Sequence, residues 1–459
     1  MITLGRVLEA TGTESVRRFL DEHVLRGGEW RVTDASRRSV RLEPPDDYWA
    51  VYRILVSRNH TNIRAGDPEA SLENGAQREL RLVARACFQS DRWARYREHL
   101  RNTFGGLVCD PITGLGAPVL FDDTQHAFWF YPADPNLPGL KQCADSGSVR
   151  RLFRQRKRDV LSHRAGIRDV EVTRLRYVPE IAAVLRYDIE TSAPATRTTI
   201  YGKLQHSGRG AQSATLMREL ATLSDKSEGR LRVPRPLGYW ADLGMLLQSA
   251  VDGESVRGDR TAPEFVAAAE AAAQALAVIH DSDIHATAVL HVEEELSRLD
   301  RLLDQFILVH PPAHFMLREL LGRIRRRLGK TDGEDCVPTH GDLKYDQLIH
   351  RDGCFTLIDF DYFGMAETSH DLGKFCAHLV PSQPRSWEDS YAAEQARNIF
   401  LGTYRAARPD ASLQRFSAYE AIHLANRAMT LMWSQVGGWE AAAESMLALA
   451  GERLNDSSI

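Results

Sequence analysis

The first part of the chain alternates short runs of β-branched and aromatic residues with polar stretches, a pattern typical of an α+β region. Tyr48–Val56 and His126–Tyr131 are two such runs and predict strands. The pattern also predicts a helix at Thr13–Leu25 and a long helix at Ser71–Arg101. Residues 1–145 are therefore expected to form an α+β region that caps or flanks the next part of the chain.

A group of β-rich segments comes next and predicts a small sheet within residues 166–250. Two of its strands are joined by a short turn at Val178–Glu180. In chain order, the predicted elements are strands at Val170–Tyr177, Ile181–Glu190 and Thr198–Leu204, a helix at Ala211–Leu223, and a strand at Gly244–Gln248.

Residues 251–459 are predicted to be mostly helical. Thr261 and Glu264 have the spacing of a capping box and are expected to open an alanine-rich helix that runs to Ile279. Further helices are predicted at Val292–Phe306, Pro312–Leu328, Trp387–Ala407, Leu413–Val436 and Glu440–Leu454.

The stretch Cys336–Gly364 interrupts this helical pattern. Two short runs rich in β-branched or aromatic residues, Gln347–His350 and Cys354–Ile358, flank the pair Asp352-Gly353. An Asp-Gly pair between such runs is a strong signal for a two-residue turn. The stretch therefore predicts a tight hairpin.

This hairpin is expected to bring Asp342, Gln347 and Asp359 to one end of the β structure. Carboxylate and amide oxygens suit Mg²⁺, which otherwise prefers phosphate oxygens and water. Phosphoryl transfer needs that metal and a carboxylate close to the attacking hydroxyl. Each acid taken singly is an ordinary turn or strand-end residue. The ordered set favours a magnesium-dependent site for phosphoryl transfer.

The composition excludes disordered and fibrous proteins. The chain has 459 residues, of which 43% are hydrophobic and 26% charged, as is typical of a folded protein with a substantial core. A formal net charge of −4 gives no overall positive field for nucleic acid. The six cysteines form neither a CxxC pair nor a disulfide framework, so we expect reduced thiols and no zinc site.

We expect no targeting or membrane-spanning segment in this chain. Its first residues have no apolar core of signal-peptide length. The longest apolar run, Phe265–Ile279, is interrupted by Glu270 and Gln274 and is too short to cross a membrane. We expect a cytoplasmic protein that binds neither membranes nor nucleic acid.

Residues 146–165 are predicted to form a basic linking helix. Eight arginines and lysines lie between Arg150 and Arg168, against the single acid Asp159. Such a run can collect phosphate groups or an acidic partner, but it is more often the solvated face of a helix.

Three motifs carry a resemblance to a known family: HGDLKYDQ at His340–Gln347, LIDFDYFG at Leu357–Gly364, and His370-Asp371-Leu372-Gly373. Together they resemble the aminoglycoside phosphotransferase and choline kinase-like family. The resemblance implies a protein-kinase-like bilobal fold with a small β-rich lobe and a large α-rich lobe. By this resemblance, Asp342 is the catalytic base, Gln347 and Asp359 bind the metal, and Asp371 braces the catalytic loop.

Gln347 departs from the usual pattern of that family, which has asparagine at this position. The chain resembles the maltokinase-like sugar kinases in carrying glutamine there. Glutamine keeps the amide oxygen and adds one methylene group, so metal binding is expected with a slightly shifted backbone.

The same resemblance assigns residues that bind the nucleotide. Lys203 matches the strand lysine that reaches the phosphates, and Glu219 matches the helix glutamate that pairs with that lysine. Gln248 and Ala250 lie in the expected hinge, whose backbone binds adenine. The implied cofactors are ATP and Mg²⁺. The turn at Val178–Ile181 contains no glycine, so a glycine-rich loop over the phosphates is not expected.

These observations predict an α+β protein with a protein-kinase-like fold and an added N-terminal region. The expected parts are an N-terminal α+β region at 1–145, a linking helix at 146–165, a small lobe at 166–250, and a large lobe at 251–459 that contains the hairpin at 336–364. The predicted function is an ATP- and Mg²⁺-dependent kinase that phosphorylates a hydroxyl of a sugar, amino sugar or aminoglycoside-like acceptor. The alternative is a pseudokinase or nucleotide-binding regulatory protein that acts through its N-terminal region.

Overall fold

The chain divides into two compact units in the computed structural model. The N-terminal unit contains Met1–Thr198, Gly202–Gly210 and Trp240–Met245, and the C-terminal unit contains Thr199–Tyr201, Ala211–Tyr239 and Leu246–Ile459. The four-part division predicted from the sequence is finer than these two units and stays a prediction. The structure describes residues 12–25, 30–43, 47–58, 77–87, 89–104, 118–122, 125–156, 166–192, 196–206, 209–257, 259–382, 387–434 and 437–456.

The N-terminal unit begins with a helix and a five-stranded antiparallel sheet. Helix α1 (Thr13–Phe19) continues into a π-helical turn, and its Val16 joins a core that contains Tyr48 and Tyr52. The sheet order is β1-β2-β3-β5-β4. Its strands are β1 (Trp30–Glu43), β2 (Asp47–Arg58), β3 (Gln77–Cys87), β4 (Val119–Phe121) and β5 (His126–Phe130), and helix α2 (Ser90–Phe104) follows β3. The predicted first helix and the strands near residues 50 and 128 are confirmed.

The predicted long helix at Ser71–Arg101 is wrong at residues 77–87, which form strand β3, and is confirmed at residues 90–101, which lie in helix α2. Strand β3 pairs with β2 along its whole length, from Asp47↔Cys87 to Ser57↔Gln77. The pairing buries the last six residues of β3. Helix-favouring residues in QRELRLVARAC misled the prediction, since burial against a distant strand outweighs local propensity. Residues 71–76 lie outside the described residues.

A second five-stranded sheet has the order β6-β7-β8-β10-β9. Helices α3 (Leu140–Ala144) and α4 (Ser146–Gln155) contact β6, and α4 forms the first part of the predicted linking helix. The later residues of that helix, 157–165, lie outside the described residues. Helix α5 (Arg209–Lys226) separates the third and fourth strands in chain order, and the predicted strands and helix are confirmed. The strands are β6 (Ile167–Val178), β7 (Ala182–Thr191), β8 (Arg197–Gln205), β9 (Pro236–Trp240) and β10 (Met245–Ser249).

The buried carboxylate of Asp134 holds the turn between β6 and β7. Its Oδ2 accepts the hydroxyl of Tyr177 and the backbone N–H of Glu180, both at 2.8 Å. Glu180 Oε1 also accepts the hydroxyl of Tyr96 at 2.7 Å. Glu180 has a φ of 63°, a left-handed conformation that a glutamate adopts only when its surroundings enforce it. Residues of the first 145 therefore fix the first turn of the second sheet.

The C-terminal unit is mainly helical, as predicted. Helix α6 (Pro263–His280) and the hairpin share one core with residues of α9 and α10, and α7, α8, α11 and α12 build a second core. The remaining helices are α7 (Val292–Val309), α8 (Pro311–Leu328), α9 (Ser369–Leu379), α10 (Trp387–Ala407), α11 (Phe416–Ser434) and α12 (Trp439–Asn455). The short strands are β11 (Glu254–Ser255), β12 (Cys336–Thr339), β13 (Leu348–Arg351), β14 (Cys354–Leu357) and β15 (Gly364–Glu367).

The capping box predicted for Thr261 is wrong. Helix α6 has Ala262 as its N-cap, and no side chain caps the helix there. The Thr261 hydroxyl donates instead to Asp259 at 2.6 Å. The proline at the first helical position supplies the helical φ angle and has no N–H to cap, so the helix starts without the predicted box.

The predicted hairpin is confirmed. Strands β13 and β14 pair in register from Leu348↔Leu357 to Arg351↔Cys354. Asp352 and Gly353 form the two-residue turn, with φ values of 50° and 77°. Positive φ at both central residues is what a two-residue hairpin turn of this hand requires. The Asp-Gly pair therefore located the hairpin, which joins the segment of Gln347 to the segment of Asp359.

The α+β class is confirmed, and the order of elements is that of a protein-kinase-like fold: a five-stranded sheet with one helix after its third strand, then a helical part that contains the hairpin. None of the described helices is long and apolar enough to cross a membrane. The described cysteines Cys87, Cys143, Cys336, Cys354 and Cys376 are all free thiols.

Candidate active site

The candidate site is built on the loop His340-Gly341-Asp342, which follows strand β12. Strand β12 pairs with β15 from Cys336↔Glu367 to Thr339↔Gly364. Gly341 has a φ of 79°, and a Cβ there would overlap the carbonyl oxygen of Tyr362. Only glycine combines this backbone conformation with so close an approach. The loop therefore turns sharply and directs Asp342 away from the strand.

Asp371 on helix α9 fixes this loop through its backbone. Its Oδ2 accepts the N–H of His340 at 2.6 Å, and its Oδ1 accepts the N–H of Gly341 at 2.8 Å. Burial acts to raise the pKa of the Asp371 carboxyl, but hydrogen bonds and charge interactions with His280 and His370 hold it far below its ordinary value. The geometry agrees with the bracing role that the sequence assigned to Asp371.

His280 supports Asp371 from the end of helix α6. Its Nδ1 lies 2.7 Å from the hydroxyl of Tyr404, and its Nε2 lies 3.5 Å from Asp371 Oδ2. Burial lowers the pKa of His280. The ring is therefore a buried packing and hydrogen-bonding residue behind the loop, as expected for a histidine at a helix end.

His340 links the loop to the end of strand β14. The backbone N–H of Asp342 donates to His340 Nδ1 at 3.4 Å, so that nitrogen is an acceptor and the proton is on Nε2. Nε2 then donates to the carbonyl of Ile358 at 3.1 Å. This bridge fixes the spacing between Asp342, the last residue of the loop, and Asp359, the second residue after strand β14.

Two lysines flank the carboxylate of Asp342. Lys374 Nζ lies 3.0 Å from Oδ1, and Lys344 Nζ lies 2.5 Å from Oδ2. Burial raises the pKa of Asp342, but the charges of Lys374 and then Lys344 outweigh it, and the pKa lies below its ordinary value. Asp342 is therefore an anion that can accept a hydrogen bond from a hydroxyl.

Gln347 is buried in the short 3₁₀ turn that follows the loop. Its Oε1 accepts the backbone N–H of Lys344 at 2.9 Å, and its Nε2 lies 3.5 Å from Asp342 Oδ2. The backbone carbonyl of Gln347 accepts the N–H of Ile358 at 3.0 Å. The hairpin thus brings Gln347 beside the segment that carries Asp359, as predicted.

These residues are compatible with a bound magnesium ion. An amide oxygen has a second lone pair after accepting one hydrogen bond, so Gln347 Oε1 is able to bind a cation as well. Asp359 adds a carboxylate next to Ile358 and has a φ of 72°. Within the described ranges, no group of three or more His, Cys, Asp or Glu side chains is arranged to hold a metal. A magnesium ion here would rely on few protein oxygens and on phosphate and water, as Mg²⁺ commonly does.

The predicted nucleotide-binding residues lie on three segments. Lys203 is on strand β8, and Glu219 is on helix α5. Gln248 is the fourth residue of β10, and Ala250 directly follows that strand. The backbone N–H of Ser249, between the last two, donates to the carbonyl of Arg235 at 2.8 Å. Their roles stay predictions.

The family assignment comes from a match over the middle of the chain. Residues 185–409 match the model of the family described as "Phosphotransferase enzyme family". This segment, 225 of the 459 residues, is similar to that family. It contains Lys203, Glu219, Asp342, Gln347, Asp359 and Asp371. The match confirms the predicted resemblance and the predicted enzyme class, a phosphotransferase.

Solved structures with a similar course of the chain include two choline kinase relatives. One is a choline/ethanolamine kinase family protein from Mesorhizobium loti, 16% identical, with a TM-score of 0.42 over 62% of this chain and 89% of that one. Another is choline kinase LicA from Streptococcus pneumoniae, 14% identical, with a TM-score of 0.44 over 67% of this chain and 98% of that one. No curated protein sequence matches the chain.

An aminoglycoside-3'-phosphotransferase of type VIII is also similar. It is 20% identical, with a TM-score of 0.38 over 55% of this chain and 92% of that one.

Sequence reasoning missed the two lysines at Asp342. Lys344 is part of the quoted motif HGDLKYDQ, and Lys374 follows Asp371 by three residues. Residues three apart on a helix share a face. Once Asp371 is placed against the loop, Lys374 is therefore placed there too, and this was the available signal.

Proposed function

We propose that the protein is an ATP- and Mg²⁺-dependent kinase that transfers the γ-phosphoryl group to a hydroxyl of a small molecule, a sugar, amino sugar or aminoglycoside-like acceptor. The observation that carries the proposal is the bracing of the His340–Asp342 loop by Asp371. Two buried hydrogen bonds of 2.6 and 2.8 Å hold the loop backbone, and His340 ties it to Ile358. Such rigidity is what a site that works by positioning requires.

In this proposal, Asp342 binds and orients the acceptor hydroxyl. Its carboxylate accepts a hydrogen bond from the acceptor hydroxyl and orients the oxygen for in-line attack. The oxygen forms a bond to the γ-phosphorus while the bond from that phosphorus to the bridging oxygen breaks, and ADP leaves. The proton of the hydroxyl passes to Asp342 and then to solvent.

Gln347 and Asp359 would hold the metal through their side-chain oxygens. A Mg²⁺ ion held by these two residues would supply positive charge that stabilises the charge developing on the leaving group. Lys203, paired with Glu219, would hold the α- and β-phosphates, and the backbone at Gln248 and Ala250 would bind adenine. These assignments extend the family resemblance and are proposals for this chain.

The test is Asp342→Asn in the full-length protein. We expect the rate of ADP release with an acceptor to fall by about three orders of magnitude, as for loss of a catalytic base together with its positioning. The melting temperature should stay close to that of the wild type, since Asp342 lies on a loop fixed by Asp371. Activity near the wild-type level in the folded variant would overturn the proposal.

A nucleotide-binding regulatory protein is the second candidate, and the environment of Gln347 favours it. Its amide oxygen has only one lone pair left for a metal after it accepts the Lys344 N–H, and its amide nitrogen, which is a donor, lies 3.5 Å from Asp342 Oδ2. Stabilisation by ATP and Mg²⁺ without turnover of any acceptor would support this second function.

A further inference from the structure

The charges around Asp342 are mostly positive in the C-terminal unit. Lys374 and Lys344 lie within 3.0 Å of its two carboxylate oxygens. Their side chains are only 17% and 28% exposed, so both ammonium groups are partly desolvated. An ammonium in such a place repels a second cation more strongly than it would in open water.

Two arginines extend this positive region along helix α9. Arg260 Nη2 donates to the hydroxyl of Tyr345 at 3.1 Å, two residues from Gln347. Arg427 donates to the carbonyls of Ala377 and Val380 at the end of α9. Beyond the effect of burial, the charge of Arg260 lowers the pKa of Arg427, so the two guanidinium groups are close enough to repel each other.

The same positive charges act on His378, which is half-buried on helix α9. Burial lowers its pKa, and the charges of Arg427, Lys374 and Lys344 lower it further. The acids of the region are engaged in other contacts or roles. Asp346 Oδ2 lies 3.9 Å from the Arg257 guanidinium, Asp371 accepts two backbone N–H groups, and Asp359 is the proposed metal ligand.

We propose that the acceptor is a hydroxylated molecule without a positive charge near its reacting hydroxyl, of the sugar or sugar-acid class, and that Lys374 selects it. This inference rests on the proposed function. When the acceptor hydroxyl donates to Asp342 Oδ1, it takes the place that Lys374 Nζ holds at 3.0 Å. The displaced ammonium then donates to a neighbouring oxygen of the acceptor. A sugar offers such an oxygen, whereas choline, ethanolamine and aminoglycosides bring cations.

The first experiment measures ADP release by the full-length protein with ATP and Mg²⁺ over three groups of acceptors. One group contains neutral mono- and disaccharides, the second sugar acids, and the third choline, ethanolamine and aminoglycosides. We expect the best kcat/KM in the first or second group, at least about tenfold above the best cationic acceptor, because unfavourable charge contacts cost at least this much in a partly desolvated site. A best kcat/KM in the cationic group would overturn the inference.

The second experiment changes Lys374 and compares acceptors within each variant. Lys374→Gln should lower kcat/KM for the preferred acceptor by about 10- to 100-fold, as for loss of a charged hydrogen bond, and leave KM for ATP within about twofold. Lys374→Arg should restore part of this loss. Lys374→Glu should raise the ratio of kcat/KM for cationic acceptors to kcat/KM for neutral acceptors by about tenfold. An unchanged ratio in the folded Glu variant would overturn the role of Lys374.

Controls separate this inference from the proposed function. Lys330→Gln changes an exposed lysine after helix α8 and should leave every kinetic constant unchanged. Thermal melting shows whether each Lys374 variant folds. If Lys374→Glu does not fold, Lys374→Arg still tests the role of Lys374 in selecting the acceptor. Turnover of cationic acceptors alone refutes the inference and leaves the kinase function intact. Absence of turnover with all three groups refutes both.

Discussion

Asp371 holds the backbone of His340. The carboxylate Oδ2 accepts the His340 N–H at 2.6 Å, and the second oxygen accepts the next N–H along the chain. Both partners are buried, so water cannot replace either oxygen. The shape of the His340–Asp342 loop therefore depends on one carboxylate that lies 31 residues after His340 in the chain.

Asp371→Asn replaces one acceptor oxygen with a donor, so one buried N–H loses its partner. We expect the free energy of unfolding to fall by about 2–3 kcal/mol and kcat to fall about 100-fold, because a displaced loop misplaces Asp342. Urea denaturation and ADP release measure the two effects. Asp300→Asn, which removes an exposed ion pair with Arg325, should cost less than about 1 kcal/mol. Equal losses in both variants would contradict the bracing role.

Gly341→Ala and Gly353→Ala form a matched pair. Both glycines have φ near 78°, at 79° and 77°, so both substitutions carry the same backbone cost of about 1 kcal/mol. A Cβ at Gly341 also meets the carbonyl of Tyr362, whereas a Cβ at Gly353 meets nothing within 4 Å. We expect Gly341→Ala to destabilise the protein by at least about 1–3 kcal/mol more. Similar unfolding midpoints in urea would show that the loop relaxes freely.

Two histidines with lowered pKa values, the buried His423 and the half-buried His378, make the stability depend on pH. Burial lowers the pKa of His423 and His378 well below 6.5, so both rings are neutral in the folded protein. Their contribution to the free energy of unfolding is complete above pH 6.5. It is lost as the pH falls below 6.5, because the unfolded chain then binds protons that the folded chain does not. The loss should reach up to about 1.4 kcal/mol per pH unit for each histidine.

Urea unfolding at pH 7.5 and pH 5.5 tests this dependence. His423→Phe keeps a ring beside His370 and Tyr419 and removes one titrating group, so its free energy of unfolding should fall less on acidification. His206→Gln changes an exposed histidine and should leave the wild-type dependence intact. A wild-type dependence in the Phe variant would exclude His423 as a source.

Asp134→Ala removes the carboxylate that holds the turn between β6 and β7. It leaves the buried hydroxyl of Tyr177 and the N–H of Glu180 without this acceptor, so we expect a loss of about 3 kcal/mol. Hydrogen exchange at residues 177–181 should accelerate in the native protein. Asp169→Ala removes an exposed carboxylate beside Arg150 and should change stability by less than about 0.5 kcal/mol. Unchanged exchange at the turn would show that other contacts hold it.

The parts of the fold that local sequence determines could be predicted. Asp352-Gly353 located the hairpin because both residues must adopt positive φ, a demand that few other residue pairs meet. The strand β3 could not be found, because its pairing with β2 depends on residues about thirty positions away. Thr261 failed as a cap since Asp259, two residues earlier, accepts its hydroxyl.

The candidate site could be predicted only as far as its motifs extend. Asp342, Gln347 and Asp371 lie in recognisable patterns, and the structure brings them together around the loop. Lys374 belongs to none of the three motifs. Its closeness to Asp342 follows only from the packing of helix α9. The positive charge that Lys374 places beside Asp342 therefore depends on tertiary structure and could not be predicted from the motifs.

The contacts of Tyr187 cross the point at which the family match begins. The family match begins at residue 185, inside strand β7, yet the Tyr187 hydroxyl donates to the carbonyl of Cys143, and its ring packs edge-on against Phe153. A fragment cut at the family boundary would lose strand β6 and both of these partners. We therefore expect a fragment that begins at the family boundary to be less stable than the whole chain, because the buried Tyr187 would lose both contacts.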